Sequence, residues 1–164
     1  MTGLRTTSVA QTRAVAAALA PLVRVGDCIV LAGEMGAGKT AFTQGLAAAL
    51  GVTEPVTSPT FTLVHTYTTG RIRLHHVDVY RLDRMAEVED LGLAELLDDG
   101  AVVVEWGDAV RAALPADRLE IGLGFGAGDD ERLLDAEATG RSWAARGERL
   151  DAAWDRFTAG ADSC

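Results

Sequence analysis

Gly33-Glu34-Met35-Gly36-Ala37-Gly38-Lys39-Thr40 is the stretch on which the fold turns. It fits the pattern GxxxxGK[ST], and its flanks supply the context that this pattern requires. Before it, Cys28-Ile29-Val30-Leu31-Ala32 is a short continuous apolar run, suited to a strand buried on both faces. After it, Thr40 to Leu50 reads as a helix stopped by Gly51. The glycines allow successive amides to turn inward, forming a concave anion nest at the positive end of that helix. A triphosphate bound there would meet Lys39 at its β and γ phosphates, while the Thr40 hydroxyl would hold magnesium. With this composition chance alone supplies the pattern about once in a thousand such chains, before strand and helix are demanded. Fourteen of the fifteen basic residues are arginine, and the one lysine stands where a compact ammonium fits among phosphates and a planar guanidinium does not.

Outward from the loop, buried strands alternate with helices. Ser8 can cap a helix from Val9 to about Val23. Phe61 to Tyr67 and Ile72 to Tyr80 favour strands, with Thr69-Gly70 as the hairpin turn. A helical stretch from about Met85 to Leu97 is interrupted near Gly92, and Ala101 to Val104 is a second fully apolar strand running into Glu105-Trp106. Leu119 to Leu123 and Arg132 to Ala138 can pair as late strands, and Ser142 to Phe157 reads as a closing helix with Trp143, Leu150 and Trp154 on one face. The expected fold is α/β, a P-loop NTPase-like three-layer domain with a mixed, parallel plus antiparallel, central sheet. One domain spans residues 1 to 164, with a motif-bearing core at about 8 to 110 and C-terminal strands and helix at about 119 to 158.

Composition excludes several classes. The longest unbroken apolar run, Ala14 to Val23, is ten residues, about half of a bilayer span. The N-terminus has no apolar core followed by a small-residue cleavage site, so a cytoplasmic protein is expected, with no membrane partner. Cys28 and Cys164 form neither a disulfide framework nor a metal pattern, and Cys28 reads as a small buried hydrophobe. The net charge of −9 argues against this surface gripping a polyanion. Residues 83 to 108 carry nine acids against Arg84 alone, a surface open to a partner with a basic face.

A nucleotide hydrolase needs a second acid for magnesium. Glu105, at the end of its apolar strand, stands where that acid belongs; Asp78, in His76-Val77-Asp78-Val79-Tyr80, is the other candidate. On a strand His76, Asp78 and Tyr80 share a face, either a site or a solvated sheet surface, whereas His75 falls on the opposite, structural side. Ser58-Pro59-Thr60-Phe61 lies where a switch segment sensing the γ-phosphate is placed, with a Ser-Pro turn as the plainer reading. Trp106 either packs in the core or lies beside the nucleotide. Guanine is read in related folds by a segment containing lysine, and none is left, which favours ATP over GTP.

Taken together, Gly33 to Thr40, Ser58-Pro59-Thr60-Phe61-Thr62-Leu63, His76-Val77-Asp78-Val79-Tyr80-Arg81 and Val104-Glu105-Trp106 resemble the bacterial TsaE (YjeE) family. The resemblance implies a weak magnesium-dependent ATPase working with TsaB and TsaD in making threonylcarbamoyladenosine in tRNA, which it meets only through the complex. TsaD attaches the group, and nucleotide turnover resets the assembly between cycles. By the same resemblance Lys39, Asp78 and Glu105 are catalytic, and Thr40, Glu105 and Asp78 hold the metal. Gly33, Glu34, Met35, Gly36, Ala37, Gly38, Lys39, Thr40, Ala41 and Trp106 bind nucleotide, and Ser58 and Thr60 are switch-like. Asp108 stands where relatives often have glutamate. The rival readings are a small-molecule P-loop kinase, which needs an arginine-bearing lid, and a module in which ATP occupancy alone alters partner affinity.

Overall fold

A computed structural model describes residues 2–59, 64–79, 92–105 and 111–159. Seven strands form one sheet: β1 Thr2–Thr6, β2 Cys28–Gly33, β3 Val64–Tyr67, β4 Arg73–Asp78, β5 Gly100–Glu105, β6 Arg118–Phe125 and β7 Arg132–Thr139. Their order is β1-β7-β6-β2-β5-β4-β3. β6, β2, β5 and β4 run parallel, while β3 and the β7-β1 edge are antiparallel. This is the mixed α/β sheet that the alternating elements imply.

The sheet's centre is apolar for the reason its sequence suggests. In β2 the residues from Cys28 to Leu31 are all buried, because helices and loops cover both faces. Ile29 and Leu31 point into the larger core, with Phe42, Leu46, Leu19 and Trp154; Cys28 and Val30 point into a smaller one, with Val77, Val102, Val104 and Leu114. Burial pushes the Cys28 thiol up to about 12, so it behaves as an inert apolar group.

The first helix, α1 Val9–Leu19, starts where Ser8 predicts: the Ser8 hydroxyl accepts from the Gln11 amide at 3.1 Å. It tightens into a 3₁₀ turn at Ala20–Leu22, around Pro21, rather than continuing to Val23. Helix α2, Lys39–Ala49, crosses it closely at Gly45. A Cβ at that position would overlap the Arg13 carbonyl oxygen and lie 2.6 Å from the Arg13 Cα. Gly45→Ala is therefore expected to destabilise the chain by about 1–3 kcal/mol through overpacking, despite alanine's better helix propensity. A denaturant midpoint unchanged in that variant would contradict this packing.

Helix α3, Leu93–Asp99, starts at Gly92, whose φ of 67° suits the interruption read there; the residues 85–91 of that helical stretch lie outside those described. His75 is structural, as its face suggests. Its Nε2 meets Asp99 Oδ1 at 2.7 Å and its Nδ1 meets Thr66 Oγ1 at 2.9 Å, which ties the α3 end to the β3-β4 hairpin. The His75 hydrogen bond, with Arg73 beside it, holds the Asp99 carboxyl below its usual value.

Two elements differ from the sequence reading. β1 is additional, and it pairs with β7 from Thr2↔Ala136 to Thr6↔Arg132. The expected helix from Ser142 to Phe157 is three pieces: α4 Arg141–Ala144, α5 Gly147–Trp154 and a 3₁₀ turn Asp155–Phe157. The break falls at Arg146, which leaves helical geometry (φ −101°, ψ 1°) while its side chain turns inward. That guanidinium is 1% exposed and grips Asp27 in a bidentate pair at 2.7 and 2.8 Å. It also donates to the Leu22 carbonyl at 2.7 Å and lies 3.9 Å from the centre of the Trp143 ring. Trp143, Leu150 and Trp154 are all buried, as their spacing suggests.

Candidate functional site

β2 delivers the glycine loop to the carboxyl ends of the parallel strands, the edge where open α/β sheets bind ligands. Gly33 lies against β6, where a Cβ would meet the Leu123 carbonyl oxygen at 2.5 Å. Gly38, with φ 110°, starts α2 in a conformation that side chains disfavour. No side chain caps that helix start, so its first amides point toward the loop's hollow, the arrangement that binds phosphate.

Lys39 is buried, and its ammonium donates to the Gly33 carbonyl at 2.5 Å and the Glu34 carbonyl at 3.1 Å. It therefore closes over the loop, beside the space the amides line. Met35, at the loop's tip, is 74% exposed. Thr40 follows on α2 with its hydroxyl directed at β5, in a long contact of 3.5 Å to Glu105 Oε1.

Sheet register then sets the acids. β4 and β5 pair in parallel with Asp78 opposite Glu105, and Leu31 of β2 lies opposite Glu105 on its other side. Glu105 shares the larger-core face with Val103 and Ala101 because side chains alternate. It is 2% exposed. Ser58 joins them from the connection after α2: its Oγ lies 3.3 Å from Asp78 Oδ2 and 3.5 Å from Glu105 Oε2. That connection is held by Gln44 Nε2 donating to the Val56 carbonyl at 3.0 Å, and by Tyr67 Oη donating to the Thr57 carbonyl at 3.5 Å. Thr40, Ser58, Asp78 and Glu105 thus meet at one point beside the glycine loop. Thr60, Tyr80, Trp106 and Asp108 lie outside the described residues.

The donor set can be tested against magnesium. Among the described residues no group of three His, Cys, Asp or Glu side chains gathers to form an all-protein cage. Magnesium does not ask for one: it takes one or two carboxylates with hydroxyl and phosphate oxygens and keeps several waters. Two carboxylates within reach of one serine hydroxyl, with Thr40 opposite, fit that demand.

Two further residues stand at the site: His76, whose strand face the sequence left open between a site and a solvated surface, and Arg132, which the sequence does not mark. His76 is fully buried on the Asp78 face, with Nε2 3.1 Å from Glu105 Oε1. Arg132, from β7, reaches across to donate to the Gly36 carbonyl at 3.4 Å, and its guanidinium lies 4.8 Å from the centre of the Phe125 ring. No local signal marks Arg132, because only the placement of the β6-β7 hairpin beside β2 brings it to the loop.

Known proteins resemble this chain in sequence and in fold. The family model described as "Threonylcarbamoyl adenosine biosynthesis protein TsaE" matches residues 6–133. A Bacillus subtilis relative named tRNA threonylcarbamoyladenosine biosynthesis protein TsaE is 43% identical over 140 residues, covering 85% of this chain and 87% of its own. A Streptomyces coelicolor protein of the same name is 45% identical over 132 residues, covering 77% and 89%. Among solved structures, that of Bacillus subtilis YdiB superposes with a TM-score of 0.78 at 37% identity, over 92% of this chain and 93% of that one. Among the described residues no helix is long and apolar enough to cross a membrane.

Proposed function

Because the chain belongs to the TsaE family of tRNA threonylcarbamoyladenosine biosynthesis, we propose that it is the ATP-binding and ATP-hydrolysing subunit of that modification, working in the cytoplasm with TsaB and TsaD. In this reading it meets tRNA only through the complex, and its turnover resets the complex between cycles while TsaD transfers the threonylcarbamoyl group. The observation that supports it is the meeting of Lys39, Thr40, Ser58, Asp78 and Glu105 at the carboxyl ends of β2, β4 and β5.

Each group has a task that its position allows. The loop amides and Lys39 neutralise the triphosphate, with Lys39 exchanging its carbonyl partners Gly33 and Glu34 for phosphate oxygens. Thr40 and Glu105 would hold magnesium, which would supply positive charge to offset that of the triphosphate. Asp78 and Ser58, on the outer side of Glu105, stand where the γ-phosphate and the attacking water would be oriented. The −9 charge suits docking on proteins and not on tRNA directly. Of the arginines a kinase lid could use, Arg71 is committed to the Ala20 and Val23 carbonyls and Arg73 to Asp99.

Phosphate release, measured with and without magnesium and with and without purified TsaB and TsaD, tests the reading, followed by a tRNA-modification assay. The isolated chain is expected to turn over weakly and the complex faster. Glu105→Gln keeps the side chain's size and removes its charge, and is expected to lower release about a hundredfold. Wild-type turnover in Glu105→Gln, or modification that proceeds at full rate without ATP, would refute the proposal.

A further inference from the structure

We propose that His76 is a positioning residue for magnesium, holding the Glu105 carboxylate in the orientation that the cation needs. The inference rests on the ATPase reading above and extends it to a residue that touches neither nucleotide nor metal. His76 is 0% exposed, in the middle of β4. Neither of its ring nitrogens has an aligned hydrogen bond among the described residues, although Nε2 stands 3.1 Å from Glu105 Oε1. A buried polar group without an aligned partner is unfavourable, and an apolar ring would fill the same space without that cost.

The surroundings say which partner the imidazole awaits. Glu105 Oε1 lies 3.1 Å from Nε2, and among the described residues the two Glu105 oxygens are otherwise in long contacts of 3.5 Å with the Thr40 and Ser58 hydroxyls. The two hydroxyl contacts alone would leave the carboxylate poorly oriented. Carboxylates that ligate metals are themselves hydrogen-bonded, and that outer contact sets their direction. A ring carrying its proton on Nε2 can donate to Oε1 and leave the remaining lone pairs for the cation. The rigid strand pair β4-β5, with Asp78 opposite Glu105, fixes the ring relative to the carboxylate.

The test compares wild type with His76→Phe and His76→Gln in the full chain. Manganese binding, followed by electron paramagnetic resonance in the presence of ADP, and the affinity of fluorescent ADP with and without magnesium are the readouts. His76→Phe is expected to weaken metal binding about 10–100-fold while leaving metal-free ADP affinity and the melting temperature at or above wild type. His76→Gln, whose amide can donate near the position of Nε2, is expected to recover most of the loss. Wild-type metal affinity in His76→Phe, or equal losses in the two variants, would overturn the inference. If His76→Phe does not fold, His76→Leu takes its place under the same criteria. Wild-type protein binding ADP without any metal dependence would instead refute the ATPase reading, and this inference with it.

Discussion

Lys39→Ala is expected to bind ATP at least a hundredfold more weakly and to release phosphate at background rate. The size of the effect follows from where the ammonium sits. It is buried against the loop, donating to the Gly33 and Glu34 carbonyls, so it is already at the edge of the anion nest and needs only a short exchange of partners. No other lysine exists in the chain to substitute. Lys39→Arg separates charge from shape. The guanidinium keeps the charge but is broad and planar, and the loop around Lys39 is packed against β6 through Gly33. That variant is expected to lose at least tenfold in turnover as well. Binding of labelled ATP and a phosphate-release assay decide both, and a Lys39→Ala chain with wild-type turnover would remove the site from the glycine loop.

The second large effect concerns stability. Arg146→Met is expected to lower stability by about 3–5 kcal/mol, because it leaves the Asp27 carboxylate buried without its cation. For a chain of this length that corresponds to a fall of about 6–20 °C in melting temperature. Arg146 makes five hydrogen bonds within the C-terminal segment and to the α1-β2 junction, and among the described residues the Asp27 carboxylate retains the Arg24 amide when Arg146 is lost. The double variant Asp27→Leu/Arg146→Met removes both charges and is expected to be more stable than Arg146→Met alone. Thermal unfolding of the three proteins measures this. A double variant less stable than Arg146→Met would show that the unpaired Asp27 carboxylate is not the source of that variant's loss.

The glycine loop was legible because its chemistry is local: eight consecutive residues carry the nest, the ammonium and the hydroxyl. The central strands were legible for a similar reason, since four or five apolar residues in a row admit few other readings. β1 was not, because only Leu4 and Thr6 of its five residues are buried and one large apolar side chain makes no period. Arg146 was illegible too. On a helical pattern an arginine reads as surface, and only the fold places Asp27 opposite it. The meeting of Ser58, Asp78 and Glu105 lay between these cases. Asp78 and Glu105 each stood out at a strand position, but their adjacency depends on β4 lying next to β5, which strand order settles and sequence spacing does not.

The pairing of Asp78 with Glu105 makes the two acids a matter of counting. Their height above the sheet is inherited from six aligned residue pairs, beginning at Arg73↔Gly100, and not from the shape of any loop. A slip of one residue in β5 would bring Val104 to that level and send the carboxylate to the opposite layer. A one-residue insertion between Gly100 and Glu105 should therefore erase the acid from the site even where the strand still forms, whereas lengthening the turn at 69–72 leaves the count intact. The chemistry is addressed by register, much as a letter is found by its place in a line.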